Sequence, residues 1–480
     1  MKKTLAFLLA AIMIFAVIGC TSQPAAANPT TDSAAAPAKT EEQKPAEQKP
    51  AEAAPATTTI DDLDPLEFAK SLTTPVKVEI WGKEKTGKEG DRGWWANVCC
   101  EELNKIYPNV TFEYIYQGGY DDVSQKVHTA AAAGQYPALF TTEESMVKGF
   151  ADIAEDLRNF VPSSVVNDWI PGLMVSMYGP NGEVYGAPYG RSLPILVCNE
   201  TYLNQAGWKA EDIKTNEDMF AAAKAVYEKT GIPGLINYWD TDAWHWESAV
   251  YADGGSILSE DGSKPTFGKD YDYVGSVFLK QIQQGLLEGY VHSTYDTPEP
   301  DSTRDQMFSN GEVAMMIRSN NGTRSYIENA KEKGFTVKCM VQPAGQGGKY
   351  GITSGGSNFV MCKNCSYEEK VFAGVFLSYF YSVENMMRIV NATGMMPCTI
   401  SARDSEEGKK YVEEHEYMQV VYESQNYLHA RPNTPYWTEM YNYAVDKLEQ
   451  FSLYPDKTDV DAMIDDISTK FAQIIQDNAW

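Results

Sequence analysis

Three observations predict an α/β fold in two domains. Strand-period and helix-period segments alternate along the chain from about residue 75, the pattern of strands joined by crossover helices. Some 420 residues follow the N-terminal region, more than one hydrophobic core usually holds, so two domains are expected. After the N-terminus no apolar run is long enough to span a bilayer, so this body is expected to be soluble.

The elements follow in order. "VKVEIW" (76–81) and "VTFEYIY" (110–116) alternate with period two, and "WWANVCCEELNKIYPN" between them reads as a helix that Pro108 stops. That is a βαβ unit, hence parallel strands with a right-handed crossover. A second helix, "DDVSQKVHTAAAAG", starts on an aspartate and stops at Gly134. "KTNEDMFAAAKAVYEKTG" predicts a helix from Thr215 or Asn216 to Gly231. "SYEEKVFAGVFLSYFYS" carries a capping box, Ser366 with Glu369, and an apolar stripe of Val371, Phe372, Val375, Phe376, Tyr379 and Phe380. Both halves of the body therefore read as α/β, without a tandem repeat.

The chain opens with Lys2 and Lys3, an apolar run over 5–18, then Gly19 and Cys20. The run is short for a bilayer span but fits the apolar region of a secretory signal. Val17, Ile18, Gly19 and Cys20 resemble the bacterial lipobox, whose cysteine becomes the lipid-bearing N-terminus. Residues 21–60, rich in Ala, Pro, Thr, Glu, Gln and Lys, have almost nothing to bury and read as a disordered tether. Its root-mean-square reach is about 35 Å. A lipid, a tether and a folded body suggest a receptor held on the extracytoplasmic face of the cell membrane.

The formal net charge is −26, and nearly all of it falls on the body. Such a surface repels phosphate backbones, so nucleic acid is not an expected partner. Besides Cys20 the chain has Cys99, Cys100, Cys198, Cys339, Cys362, Cys365 and Cys398, an odd number. Cys362 and Cys365 form a lone C-x-x-C with no second pair, which favours a strand-end coincidence or a local disulfide over zinc. The histidines His128, His245, His292, His415 and His429 are scattered, so no metal and no cofactor are expected. "GKEKTGKE" (82–89) satisfies G-x-x-x-x-G-K, but Glu89 stands where a phosphate loop needs a hydroxyl, and a charged surface loop is the better reading. Glu143 with Glu144, or Asp240 with Asp242, would suit a glycosidase only if the carboxyl groups faced each other across a cleft about 5 to 10 Å apart.

"NGEVYGAPYGRSLPILVCNETYLNQAGW" (181–208) resembles a segment of bacterial extracellular solute-binding proteins of the maltose- and glycerol-phosphate-binding type, which serve ABC importers. "YPNVTFEYIY", "KVHTAAAAGQYPALF", "FSNGEVAMMI", "TSGGSNFVM", "ATGMMP" and "ARPNTPYWTEMYNYAVDKLEQ" continue the resemblance in order over nearly everything after residue 75. It implies a two-lobed periplasmic-binding-protein-like fold of type II. Each lobe is then a mainly parallel sheet flanked by helices, and crossover strands form the hinge. The implied division is 61–188 plus about 344–397 for the first lobe and about 189–343 plus 398–480 for the second. Tyr185, Gly186, Pro188, Tyr189 and Gly190 would form the cleft floor and hinge, with "LPILVCN" anchoring the second lobe.

The resemblance also implies a monomeric binding protein that does no chemistry, captures a carbohydrate between its lobes and hands it to a membrane permease. "NYWDTDAWHWES" sets Trp239, Trp244 and Trp246 beside Asp240, Asp242 and Glu247, a mixture that suits sugar faces and hydroxyls. The segment after "PNTP" supplies stacking in the family, which carries over to Tyr436, Trp437 or Tyr441. The first lobe is expected to offer Trp81, Tyr116, Gly118, Thr142 and Glu143, near strand C-terminal ends. Tyr189, Gly356 and Ser357 complete the expected floor. A polyol phosphate is the alternative ligand, with Arg191, Arg318 or Arg431 as its partner. A glycoside-acting enzyme and a surface adhesion module are the readings from other classes.

Overall fold

The computed structural model describes residues 60–478 apart from Gly90, 238–243, Asn433 and Pro435. The leader, Cys20, nearly all of the tether, and Trp239, Asp240 and Asp242 lie outside the described residues. No helix among the described residues is long and apolar enough to cross a membrane.

The strands are β1 (Val76–Gly82), β2 (Val110–Tyr116), β3 (Leu139–Glu143), β4 (Ala187–Pro188), β5 (Pro194–Asn199), β6 (Leu235–Asn237), β7 (Val291–Ser293), β8 (Met315–Ser319), β9 (Val337–Val341), β10 (Ile352–Thr353), β11 (Ser357–Met361) and β12 (Leu428–His429). They form two five-stranded sheets, ordered β2-β1-β3-β11-β4 and β7-β6-β8-β5-β9, and the small pair β10-β12. The first βαβ unit stands as the sequence predicts: β1 and β2 run parallel in register from Val76 opposite Val110 to Gly82 opposite Tyr116. The helix Trp94–Ile106 connects them and packs on β2.

The sheets are mixed, with four of the five strands in each running the same way. In each, the chain's local βαβ windings give parallel pairs, β2-β1-β3 and β7-β6-β8, while one strand is reversed: β11 lies antiparallel to both β3 and β4, and β5 to both β8 and β9. The antiparallel strands are those that enter from the other sheet, so their direction is set by the return path and not by a local crossover helix. Burial follows position. β1 and β2 alternate, whereas β3, β5 and β11 are buried at every residue because both their faces are covered.

The predicted helices are present, with local reasons at their ends. Asn216–Thr230 is capped by Thr215, whose hydroxyl and Asp218 exchange hydrogen bonds, and it ends at Gly231 in the left-handed region (φ 73°). Tyr367–Phe380 has the Ser366 and Glu369 box and lays Phe376 and Phe380 against Phe359 of β11. The helix read from an aspartate start begins one residue earlier, over Tyr120–Ala132, because Asp122 accepts from the Gly119 N–H at 2.8 Å. On the other sheet Trp246, Phe267, Phe471 and Trp437 pack edge to face. Burying one such tryptophan stabilises the fold by about 3 kcal/mol.

The chain passes between the sheets near Arg191, Gly355 and Met396, and these segments are laced together. Ser192 N–H donates to the Gly355 carbonyl at 3.0 Å, Gly355 N–H returns the bond at 2.9 Å, and Met396 N–H donates to the Arg191 carbonyl at 3.1 Å. Gly356 (φ 135°) lies so close to this lacing that a Cβ there would stand 2.1 Å from the Gly190 carbonyl oxygen. Only glycine fits both the angle and the space.

Candidate functional site

Three glutamates at the C-terminal ends of β1 and β3 each hold a different passing segment. Glu84, just beyond β1, accepts from Ser357 Oγ, from Thr141 Oγ1 at 3.3 Å and from Tyr114 OH at 3.4 Å. Glu144 accepts from Ser176 Oγ at 2.8 Å and from Ser354 Oγ, and its Oε2 lies 3.6 Å from Arg191 Nε. Glu143 accepts from Ser145 and from Arg431 Nη1. Arg431 in turn meets Glu247 of the helix Trp244–Ala252 with two parallel bonds, Nε to Oε2 at 2.9 Å and Nη2 to Oε1 at 2.6 Å. These carboxylates and both arginines are almost wholly buried. A charge so deep persists only when paired and hydrogen-bonded.

The Arg431 network joins the two halves. β10 and β12 ride on the helix Trp244–Ala252: Trp244 Nε1 donates to the Thr353 carbonyl at 2.9 Å, and Tyr251 OH donates to the Ala430 carbonyl at 2.8 Å. Arg431 is thereby fixed on the side of the second sheet, while Glu143 ends a strand of the first. The ion pair between them crosses the junction.

Beside it opens a cavity of about 580 Å³, a size that suits a small solute. One wall is Lys83, Tyr120, Asp121, Asp122 and Glu143 from the first sheet's side; the other is Tyr441 and Asn442 on the helix Trp437–Leu453. That helix belongs with the second sheet, since its Ser452 Oγ accepts from Asn237 Nδ2 at 3.1 Å. Grooves of about 530 and 420 Å³ are instead walled by helices flanking β8 and by elements packed on β2, respectively. Lys83 lies 4.0 Å above the Tyr120 ring and 3.9 Å from Glu84. Burial by itself lowers its pKa, but Tyr120 and Glu84 outweigh that and hold it above the ordinary lysine value. Burial raises the Tyr120 phenol, and Lys83 opposes this.

Of the residues expected at a site, the fold brings together Glu143, Arg191, Gly356, Ser357 and Arg431. Arg191 Nη1 donates to the Ser357 carbonyl at 3.0 Å and Nη2 to Asn358 Oδ1. Thr142 is buried on β3, and its hydroxyl has no hydrogen-bond partner among the described residues. Gly118 (φ 112°) shapes the turn before Tyr120. Trp81 is the last residue but one of β1, half-buried, donating to Glu79 at 3.1 Å. Tyr116 is exposed.

Others stand elsewhere. Tyr189 is buried between Phe359 and Phe380, with its hydroxyl donating to the Arg92 carbonyl at 2.5 Å. Trp244 is buried and tied to Thr353. Arg318 meets Asp301 and Asp305, away from the cavity wall. Tyr436 OH donates to the Asn478 carbonyl at 3.0 Å, and Trp437 is core. Tyr441, one turn further on, is the ring of that segment that faces the cavity. The loop read as charged surface is only partly so, because Glu84 is buried beneath Ser357. Cys362 and Cys365 share no disulfide: Cys362 is buried just past the end of β11, and Cys365 Sγ points to the Pro137 carbonyl at 3.4 Å.

Comparison with known proteins agrees with this architecture. The model for "Bacterial extracellular solute-binding protein" matches residues 99–416. The sn-glycerol-3-phosphate-binding periplasmic protein of Brucella abortus is 23% identical over 375 residues, covering 72% of this chain and 83% of that protein. Among solved structures, the cyclic alpha-maltosyl-1,6-maltose binding protein of Arthrobacter globiformis superimposes with a TM-score of 0.69 at 18% identity, covering 84% of this chain and 100% of that one. A Mycobacterium tuberculosis protein in complex with glycerophosphocholine has a TM-score of 0.69 at 18% identity, covering 85% and 99%. The two-sheet architecture is thus the fold of a known group, and the chain belongs to the bacterial extracellular solute-binding protein family.

Proposed function

We propose that this protein is the substrate-binding component of an ABC importer, capturing a carbohydrate in the 580 Å³ cavity and delivering it to a membrane permease. The observation that carries this is the composition of that cavity: the Tyr120 and Tyr441 side chains come from opposite sides of the junction, with Asp121, Asp122 and Asn442 beside them. Aromatic rings pack on the C–H faces of a sugar while carboxylates and amides take its hydroxyls. Relatives named for an arabinooligosaccharide and for cyclic maltosyl-maltose support the same class.

Lobes of 61–188 plus about 344–397 and about 189–343 plus 398–480 would swing about the laced segments near Arg191, Gly355 and Met396. Arg431, tied to Glu247, would carry the second lobe's side of the closing contact. The protein performs no chemistry in this reading, since Glu143, Glu144 and Glu247 are each held by arginine or serine partners. Cys20 anchors it on the extracytoplasmic face, and it acts as a monomer without nucleic acid.

A polyol phosphate is the second reading, favoured by the relatives named for sn-glycerol-3-phosphate. Native mass spectrometry of the freshly purified protein tests capture: a co-purifying saccharide mass that leaves on unfolding supports it, and turnover of a glycoside panel overturns binding without chemistry. For the anchor, Cys20→Ala should move the protein from the membrane to the soluble fraction.

A further inference from the structure

We infer that Glu143 and Glu247 are specificity-determining residues that set the charge class of the captured solute: by occupying Arg431 from both sides of the junction, they make the cavity select neutral solutes over phosphorylated ones. This rests on the capture reading above and goes further, because it chooses between its two ligand classes.

Phosphate recognition needs a donor with bonds to spare, usually an arginine fork, a lysine or the start of a helix. The two buried arginines at the junction are already engaged. Glu247 takes Arg431 Nε and Nη2 in a two-pronged bond, and Glu143 takes Nη1. Arg191 is spent on Ser357, Asn358 and the Glu144 carboxylate. Arg318 stands away from the cavity and is held by Asp305. The helix Tyr120–Ala132 begins at the cavity wall, but its own Asp122 accepts from Gly119 N–H at 2.8 Å and puts a negative charge, with Asp121 beside it, where an anion would have to sit. Lys83 is the cation of the wall, and Asp121, Asp122 and Glu143 share that wall with it. An incoming dianion would meet more negative than positive charge at close range, where a low dielectric strengthens the repulsion. A neutral hydroxylated solute meets no such barrier, and the carboxylates accept from it.

The arginine also explains why the acids tolerate each other. Glu143 and Glu247 share one guanidinium, so replacing either carboxylate with an amide weakens its hold on that fork and makes the net charge of the site less negative by one.

Calorimetric titration with sn-glycerol 3-phosphate, glycerol and maltotriose tests this in the wild type, Glu143→Gln and Glu247→Gln, with thermal melts to confirm folding. Glu143→Gln is the milder change, because Arg431 keeps both bonds to Glu247. The wild type should show no saturable heat with the phosphate at about millimolar concentration, and each folded variant should gain at least about tenfold in phosphate affinity with glycerol unchanged. A merely structural role would lower the melting temperature without any such gain. The inference is overturned if the wild type binds the phosphate at micromolar concentration, or if a folded variant gains nothing. Should the wild type bind no sugar while the variants gain phosphate affinity, the charge selectivity stands and the carbohydrate reading falls.

Discussion

Glu144 Oε2 lies 3.6 Å from Arg191 Nε, and both side chains are fully buried. Arg191 sits where the chain passes between the sheets, and Glu144 also accepts from Ser176 and Ser354. One carboxylate therefore ties the end of β3 to two crossing segments. A buried pair broken on one side leaves an uncompensated charge.

Glu144→Gln should accordingly cost about 3 kcal/mol of stability. Urea unfolding of the variant against the wild type measures it. A loss near zero would mean that water reaches the pair.

Gly356→Ala should cost at least about 2 kcal/mol, because its φ of 135° disfavours any side chain and the new Cβ would meet the Gly190 carbonyl. Gly347→Ala is the control. Its φ is 68° and nothing lies near the added carbon, so about 1 kcal/mol is expected. Equal losses at the two positions would show that the close approach at the crossing is not felt.

Burial pushes the Asp253 carboxyl up to about 6, against an ordinary value near 3.8, although backbone N–H groups of Gly275, Gln346 and Phe278 oppose the rise. The folded protein therefore binds this proton more tightly than the unfolded chain does. The contribution is fully present below pH 4 and is lost as pH rises through about 6. The stability of the wild type relative to Asp253→Asn should fall over that window. Urea midpoints at pH 4, 5, 6 and 7 read it, and a difference that stays flat or rises contradicts the assignment.

Trp437 and Tyr441 are buried neighbours on one helix, but only Tyr441 also lines the cavity, and their alanine variants should separate. Trp437→Ala removes a core ring packed on Phe471 and should cost about 4 kcal/mol of stability. Tyr441→Ala should also cost stability, since the ring is largely buried, but less than Trp437→Ala, and it alone should weaken solute binding, about tenfold or roughly 1.4 kcal/mol. The reverse pattern would place the ligand elsewhere.

The seven cysteines of the body are free, and all but the half-buried Cys365 are fully covered. Burial holds the Cys365 thiol up at about 12 and raises the other resolved thiols also. Folded protein should react slowly with an aromatic disulfide reagent, at Cys365 first, and all seven should react in urea. Fast labelling of more than one thiol in the folded state would contradict this.

What the sequence made legible was local. Thr215 and Gly231 mark both ends of one helix because a cap and a left-handed residue act within a single turn. The direction of β11 was not legible, since it pairs with β3 some two hundred residues earlier, Ser357 opposite Glu143. Glu84 reads as one more charge in a polar loop, and only its partner 273 residues away shows that it is buried. The segment after "PNTP" has several aromatics, and only the phase of the helix, which the sequence left open, turns Tyr441 rather than Trp437 to the cavity. Arg191 and Arg431 were named as phosphate partners, and the sequence carried no sign that distant carboxylates had already taken them.

The most direct measurement is calorimetric titration of the purified protein with a panel of neutral oligosaccharides. Capture between two lobes requires saturable binding at about micromolar concentration or tighter, near 8 kcal/mol, by at least one sugar. Absence of heat across sugars, polyol phosphates and peptides alike would contradict it.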